Sequence, residues 1–231
     1  TIFAKIYGER PYKSPTDMGV NMAGNCICDD EVCREASCQE IIRRYYAALN
    51  SLAKGDSSDK EAQKIELLMN MAGISTTDRK VAVKALERAK ETEGPAAALE
   101  LEDGRIVTGK TTNLLGASAA LLLNVLKELA GIDHDLHIIS PESIEPIQKL
   151  KVDYLKSKNP RLHTDEVLIA LSASAANSED ARLALSQLPK LDGCQAHTSV
   201  MLSDVDIKIF KKLGVQLTCE AVYEHDHLYH Q

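Results

Sequence analysis

The fold is decided by the stretch Ala97-Ala98-Leu99-Glu100-Leu101-Glu102-Asp103-Gly104-Arg105-Ile106-Val107-Thr108. Its first half alternates apolar and acidic side chains, which predicts a half-buried strand. Asp103-Gly104 is a strong tight-turn dipeptide, and the β-branched residues that follow it predict a second strand. The stretch therefore predicts a β-hairpin, and we expect a long helix over residues 112–130 to follow it.

Strands and helices alternate after this hairpin. Strands are predicted at 136–139, 166–171, 196–202 and 215–219, and helices at 142–157, 180–188 and 205–213. Such alternation is typical of a sheet covered by helices. The sequence therefore predicts an α/β fold in which a three-layer α/β sandwich with an opening β-hairpin occupies residues 95–231.

The part of the chain before the hairpin differs in character. An irregular loop at residues 8–30 precedes helices expected from Ser37, from Asp59 and from Arg79, separated by Gly55-Asp56-Ser57-Ser58 and by the capping sequence Thr76-Thr77-Asp78. Residues 1–94 are therefore predicted to form an irregular loop plus a helical subdomain. The chain begins at Thr1 rather than at a methionine, so we expect it to be a fragment of a longer polypeptide.

Composition excludes several classes of protein. The 231 residues carry a net charge of −7 and include no basic block with interleaved aromatic residues, so a nucleic-acid partner is not expected. The longest apolar run, residues 114–126, is too short to cross a bilayer, and no signal peptide opens the chain. The six cysteines lack the spacing of a metal site. We expect free thiols, a cytoplasmic location, and neither a metal nor a membrane contact.

Gly104-Arg105-Ile106-Val107-Thr108-Gly109-Lys110-Thr111 matches the phosphate-loop pattern G-x-x-x-x-G-K-[ST]. Acidic residues precede it, its middle is β-branched, and the predicted hairpin would separate Gly104 from Lys110 by roughly 20 Å. These features argue against a phosphate loop. The second half of the motif, together with Thr112, lies where the predicted strand gives way to the predicted helix. Lys110, Thr111 and Thr112 are therefore candidate anion ligands. The alternative is a capped helix with a solvated lysine.

Two further segments carry candidate ligand-binding residues. Ser172, Ser174 and Asn177 follow the predicted buried strand, and ligands of open α/β sheets bind at the carboxyl ends of strands. The loop at 12–25 concentrates Lys13, Asp17 and Asn21 among residues that permit tight turns, and Asp17 is the candidate catalytic acid or base. The alternative for the segment from Ser172 to Asn177 is a close-packed connection into the next helix. The alternative for the loop at 12–25 is an ordered structural loop. The histidines near the carboxyl terminus are interpreted as a frayed tail rather than a metal site, and His197 as a packed or hydrogen-bonded residue rather than a catalyst.

Several long motifs resemble one bacterial family of unknown function. They are Tyr12–Asn25, Gln39–Tyr46, Asp103–Thr111 and the run ending at Ala176, and they are similar to domain-of-unknown-function family 1846. The resemblance covers essentially the whole chain and matches the C-terminal half of members roughly twice as long. It implies a helical subdomain followed by a three-layer α/β subdomain. Some members are labelled ATP-dependent peptidases without support, and the family's own glycine-rich segment is expected in the other half.

Two functions remain open from the sequence. The first is part of a cytosolic enzyme that binds a phosphorylated or nucleotide-like small molecule, with Lys110 neutralising charge. The second is a noncatalytic assembly domain that supports a catalytic N-terminal half. The expected partners are the remaining N-terminal half of the polypeptide and further copies of the chain. No cofactor is identified.

Overall fold

The computed structural model describes residues 29–224, which form helices around one four-stranded sheet. In chain order the elements are α1 (Asp30–Lys54), α2 (Asp59–Ala72), α3 (Lys80–Thr92), β1 (Ala96–Glu100), β2 (Ile106–Lys110), α4 (Ala117–Ala130), α5 (Pro141–Lys149), α6 (Thr164–Ser174), α7 (Glu179–Leu185), β3 (Gln195–Thr198), α8 (Asp204–Lys212) and β4 (Gln216–Cys219). Short 3-10 turns at Thr76–Asp78 and Leu188–Leu191 and a π turn at Leu150–Tyr154 complete the described part. The predicted α/β class and the helical N-terminal part are confirmed.

The sheet has the strand order β2-β1-β3-β4. β1 is antiparallel to both β2 and β3, whereas β3 and β4 are parallel. The register places Ala96 opposite Lys110 and Leu99 opposite Ala196. β2 is therefore an edge strand, and its last residue lies beside the beginning of β1.

The opening hairpin is confirmed. The Gly104 amide donates to the Leu101 carbonyl at 2.9 Å, and the φ angle of Gly104 is +82°, a conformation that glycine adopts without a steric penalty. The prediction of half-burial for the first strand is wrong, because Ala96 to Leu99 are all fully buried. The acidic residues that suggested an exposed face lie at the end of β1 and in the turn, outside the buried alanine run.

Helices cover both faces of the sheet. On one face α4 packs against β1 and β2, with α6, α7 and α8 behind it, and this side holds the larger core, which includes Leu99, Leu122 and Phe210. On the other face α3 packs against β1 and α1 against β4. This gives three layers, as predicted. A domain boundary at residues 94–95 stays a prediction, although α1 and α3 themselves form the outer layer on that face.

Two predicted strands are wrong. Residues 136–139 are irregular, although Ile138 and Ile139 are buried in the core. Residues 166–171 belong to helix α6, whose first turn is capped by a hydrogen bond from the His163 amide to Glu166 Oε2 at 2.8 Å. The run Val167–Leu171 is compatible by itself with a buried strand or a buried helix, and the acidic residues in the first turn favour the helix.

Candidate functional site

A cleft of about 600 Å³ opens beside the edge strand β2, between α4 and the segment that connects α4 to α5. We call it the Lys110 cleft. Its polar or charged lining residues are Arg88, Thr108, Lys110, Thr112, Asn113, Asn124, Lys127, His134 and His137, and its apolar lining residues are Leu114, Leu115, Ala120, Leu123, Leu136, Ile138, Ile139 and Ile144. The volume is within the range of small-molecule sites, which are concave and mostly apolar with a few polar groups.

Lys110 is placed at the cleft by the end of β2. Its backbone pairs with Ala96, and the next amide, that of Thr111, donates to the Pro95 carbonyl at 2.8 Å. The side chain is exposed, and its ammonium has no hydrogen-bond or ion-pair partner among residues 29–224. It is therefore a lysine whose charge is left for solvent or for a ligand.

The interpretation of Lys110 and Thr112 as the start of a helix is wrong. Helix α4 begins at Ala117, with Gly116 as its N-cap, and the segment before it is held in an extended path by Leu162, which donates to the Leu114 carbonyl at 2.9 Å and accepts from Gly116 at 3.3 Å. The Thr112 hydroxyl accepts the Leu115 amide at 3.0 Å, which closes a turn within this segment. The anion site predicted here thus lacks the helix dipole.

The phosphate-loop pattern has a structural explanation. Its first glycine is in the hairpin turn, and its second, Gly109, is in β2 where α4 crosses the strand. A Cβ atom at Gly109 would lie 2.2 Å from the backbone nitrogen of Leu121. The residues between the two glycines are extended and paired with β1, so their amides do not converge on one point. The expectation that this match is not a phosphate cradle is confirmed.

Positive charge is concentrated in the Lys110 cleft. Among the residues that the structure describes, the lining includes Arg88, Lys110 and Lys127 but no aspartate or glutamate. Lys127 is buried, and its ammonium donates to the carbonyls of His134 at 2.6 Å and Leu136 at 2.8 Å. Burial lowers the pKa of Lys127, and the nearby charges of Asp133 and Asp135 offset the lost hydration only in part.

The rim of the cleft contains further polar contacts. The Arg88 guanidinium forms an ion pair with Glu91 at 3.0 Å, and its buried Nε has no hydrogen-bond partner among the described residues. His134 Nε2 lies 3.0 Å from Glu128, which also pairs with Arg105. These carboxylates lie outside the described lining, but Glu91 partly neutralises the positive charge that Arg88 contributes to the cleft.

Comparison with known proteins identifies a family for the whole chain. Residues 1–73 match the family domain described as "Domain of unknown function DUF1846, N-terminal", and residues 77–229 match "Domain of unknown function DUF1846, C-terminal". This chain belongs to the DUF1846 family. The resemblance expected from its motifs is confirmed, and both domains of the family are represented in it.

Curated relatives of this DUF1846 chain are bacterial proteins named UPF0371. The protein of Corynebacterium urealyticum is 58% identical over 99% of this chain and 46% of its own length. The protein of Corynebacterium efficiens is 57% identical over the same shares. The protein of Streptococcus thermophilus is 51% identical over 97% of this chain and 46% of its own length. The DUF1846 chain thus spans about half the length of the curated relatives it matches.

The other predicted site residues that the structure describes in this DUF1846 chain do not meet at the cleft. Ser172, Ser174 and Asn177 lie at and just after the end of α6, and the Ser174 hydroxyl donates to the Ala170 carbonyl at 2.9 Å. Their predicted place at the end of a strand is wrong, and a helix C-terminus presents carbonyl groups that disfavour an anion. Thr111 is not among the residues that line the cleft. Lys13, Asp17 and Asn21 lie outside the described residues.

Cysteines and histidines are the remaining candidates for a metal site. Cys33, Cys38, Cys194 and Cys219 are free thiols, while Cys26, Cys28 and the histidines at 225, 227 and 230 fall outside the part that the structure describes. Between residues 29 and 224, no three His, Cys, Asp or Glu side chains are grouped so that they could hold a metal ion. Over the same range no helix is long and apolar enough to cross a membrane.

Sequence reasoning missed a buried polar network on the α1 and α3 side of the sheet. Arg79 is 1% exposed and donates to Thr218 Oγ1 at 2.8 Å and to the carbonyls of Ala196 at 2.9 Å and Gln216 at 2.7 Å. Burial, together with the nearby positive charge of Arg43, lowers the pKa of Arg79 to about 10, because its hydrogen-bond partners among the described residues are neutral. The arginine thereby ties α3 to both β3 and β4.

His197 continues this network and is fully buried, as its interpretation as a structural residue expects. Its Nδ1 lies 2.8 Å from Thr218 Oγ1, and its Nε2 lies 3.3 Å from Glu220 Oε1, within ion-pair distance but without the alignment of a hydrogen bond. Burial lowers the pKa of His197. The signal in the sequence was the alternation in β3 and β4, where polar Gln195, His197 and Thr218 share one face of the sheet.

Proposed function

We propose that the chain is part of an enzyme that binds a phosphorylated or nucleotide-like small molecule, and that the Lys110 cleft holds the anionic group. The observation that carries this proposal is the positive charge of the residues that line the cleft. A protein with a net charge of −7 presents here a lining whose described residues include Arg88, Lys110 and Lys127 and no carboxylate. An anion beside Lys110 gains attraction, and the carboxylates of Glu91 and Glu128, which pair with residues of the rim, lie outside the described lining.

The shape of the cleft supports a ligand with both a charged and an apolar part. Leu123, Ile138 and Ile144 form part of an apolar wall beside the lysines. Lys110 would contact the anionic group directly, because its ammonium is exposed and without a partner among the described residues. Lys127 would act through its field, since its ammonium is already bonded to two carbonyls. Asp17 as acid or base, with Lys13 and Asn21 as ligands, stays a prediction.

The test is a thermal-shift screen with inorganic phosphate, nucleoside phosphates and sugar phosphates. A ligand at a hundred times its Kd stabilises the native state by about 2.7 kcal/mol. We expect a stabilising ligand to lose most of its effect in Lys110→Ala. The matched control is Lys84→Ala, which removes an exposed lysine of α3 that pairs with Glu87 away from the cleft. Equal stabilisation of both variants would remove Lys110 from the proposal.

A second candidate, the assembly domain, has its own supporting observation. On α2, Leu67 is 61% exposed, Leu68 is 52% exposed and Met71 is 77% exposed. Three large apolar side chains on one short stretch of helix are a feature of association surfaces. Sedimentation velocity over a range of concentrations tests self-association, and a monomer at all concentrations counts against this candidate. The free thiols support a cytoplasmic location for either function.

A further inference from the structure

Helix α1 uses two opposite faces in different ways. One face is bonded to the sheet: Arg43 donates to Gln195 at 3.2 Å, Tyr46 to Glu220 at 3.2 Å, and Asn50 to the Cys219 carbonyl at 2.7 Å. The other face lines an open groove of about 830 Å³ between α1 and α2. We call it the α1–α2 groove, and it is lined by Ala36, Ser37, Glu40, Ile41, Arg44, Ala47, Ala48 and Ser51 of α1 and by Glu61, Lys64, Ile65 and Leu68 of α2.

The pattern of these residues fits a helix. On α1 the lining positions 37, 41, 44, 48 and 51 follow the alternating spacing of three and four residues that marks a helix-packing face. Several of them are alanine or serine, and small side chains allow another helix to approach closely. Ile41, Ile65 and Leu68 supply apolar contacts. The geometry is that of two helices of a bundle with the position of a third open.

The charges at the groove edge favour a polypeptide with both signs of charge. Glu40 pairs with Arg44 at 2.8 Å along α1, and α2 contributes Glu61 and Lys64. Acidic and basic side chains therefore alternate around the apolar floor. Such a rim suits an amphipathic helix with mixed charges on its flanks, and it does not select a small anion or a nucleic acid.

The family match indicates where such a helix would come from. Helices α1 and α2 lie within residues 1–73, which match the N-terminal DUF1846 domain, whereas the sheet lies within the C-terminal domain. The curated relatives are about twice as long as this chain. In the described part of that N-terminal domain, the core is a small cluster of Ile42, Tyr46 and Met69 with Ala82 of α3, and Ile41 and Ile65 of the groove pack against it. Among residues 29–224 the groove is thus an uncovered, partly apolar surface, and about half of the length of the relatives lies outside this chain.

We propose that the α1–α2 groove is the docking surface for a helix from the part of the N-terminal DUF1846 domain that this chain does not span. Helix α1 then lies between the two family domains, bonded to the sheet on one face and to the incoming helix on the other. It couples the remainder of the N-terminal domain to the face of the sheet that carries the buried polar network. This proposal is independent of the Lys110 cleft. That cleft lies beside β2 at one edge of the sheet, whereas α1 packs against β4 at the other edge.

The test compares thiol labelling at two exposed alanines of α1. Ala47→Cys places a thiol in the groove, and the matched control Ala53→Cys places one on the same helix outside the groove lining. Peptide-resolved mass spectrometry follows each thiol separately from the native cysteines. In this chain we expect both to label at similar rates. In the full-length Corynebacterium urealyticum relative, with cysteine at the two equivalent positions, we expect the groove position to label at least about tenfold more slowly, because a docked helix must open before reagent enters.

Three outcomes would overturn the proposal. Equal labelling of both positions in the full-length relative would show that the groove stays open there. Slow labelling of Ala47→Cys in this chain that is relieved by dilution would assign the groove to a second copy. Slow labelling that does not depend on concentration would mean that this chain covers the groove itself. Circular dichroism of each variant establishes that the fold is intact before the rates are compared.

Discussion

Replacing Gly109 with alanine tests the structural explanation of the phosphate-loop pattern. The added Cβ would lie 2.2 Å from the nitrogen and 2.5 Å from the Cα of Leu121, and 2.9 Å from the carbonyl carbon of Ala120. All three atoms are backbone atoms of α4, so no side chain can rotate away. Strand β2 is paired with β1, and α4 is anchored in the core by Leu122 and Val125, so neither element can move alone.

The size of the effect follows from this geometry. Relief of the clash needs a separation of roughly 1 Å between β2 and α4, which would loosen the contacts of the whole strand–helix interface. Overpacking a well-packed core costs about 1–3 kcal/mol. Because the obstacle is backbone, we expect about 3 kcal/mol, at the upper end of that range. For a chain of this size that corresponds to a fall in Tm of roughly 6–12 °C.

The measurement is urea unfolding followed by far-ultraviolet circular dichroism, with the free energy of unfolding extrapolated to zero denaturant. Gly104→Ala is the control, because a Cβ there meets nothing within 4 Å and only the φ angle of +82° is unfavourable. We expect that variant to lose about 1 kcal/mol. A Gly109→Ala variant that is no less stable than Gly104→Ala would refute the argument that close packing of α4 requires this glycine.

Two further predictions concern buried polar groups. Arg79→Met should cost about 3 kcal/mol or more, since it removes the guanidinium from the Ala196 and Gln216 carbonyls and from Thr218 Oγ1, and a buried acceptor left unpaired costs roughly 1–3 kcal/mol. The exposed Arg44→Met should change the free energy of unfolding little, and similar losses in both variants would contradict this. The hydrogen bond to Asp206 raises the pKa of His163. Protonation of His163 therefore stabilises the folded state fully below the unfolded pKa of about 6.5, and this stabilisation is lost as the pH rises through the higher folded pKa. Urea unfolding should therefore show a larger deficit of His163→Asn relative to wild type at low pH than at high pH, and a deficit that does not depend on pH would exclude the linkage.

The elements that local signals specify were predicted well. Asp103-Gly104 between two apolar runs predicted the hairpin, because this dipeptide favours the backbone conformation that a tight turn needs. Gly55 and Gly73 end α1 and α2 close to where the sequence places the helix ends, since each adopts a positive φ angle as C-cap. These features depend on residues within a few positions of one another.

The errors arose where distant contacts decide. The long helix was predicted to begin at Thr112, but the hydrogen bonds of Leu162 hold Leu114 and Gly116 in an extended path, so α4 begins only at Ala117. The apolar run at 167–171 was compatible with either a strand or a helix, and its position against α4, α7 and α8 was not available from the run itself. The polar network around Arg79 unites residues more than a hundred positions apart, which no local pattern reveals.

The candidate site was predicted only in part for the same reason. Lys110 and Thr112 were singled out from a local motif, and both line the cleft. Their cleft partners Arg88, Lys127 and Ile144 come from α3, α4 and α5, and carried no mark in the sequence.

By itself the sequence determined the family, the α/β class and the hairpin, because these depend on turn chemistry, capping and hydrophobic pattern along neighbouring residues. Only the tertiary structure decided what the glycine–lysine pair at 109 and 110 does. The glycine is required where α4 crosses β2. The lysine lies beside a cleft whose described lining contains no carboxylate. Both outcomes depend on packing, because packing brings together helices and strands that are far apart in the chain.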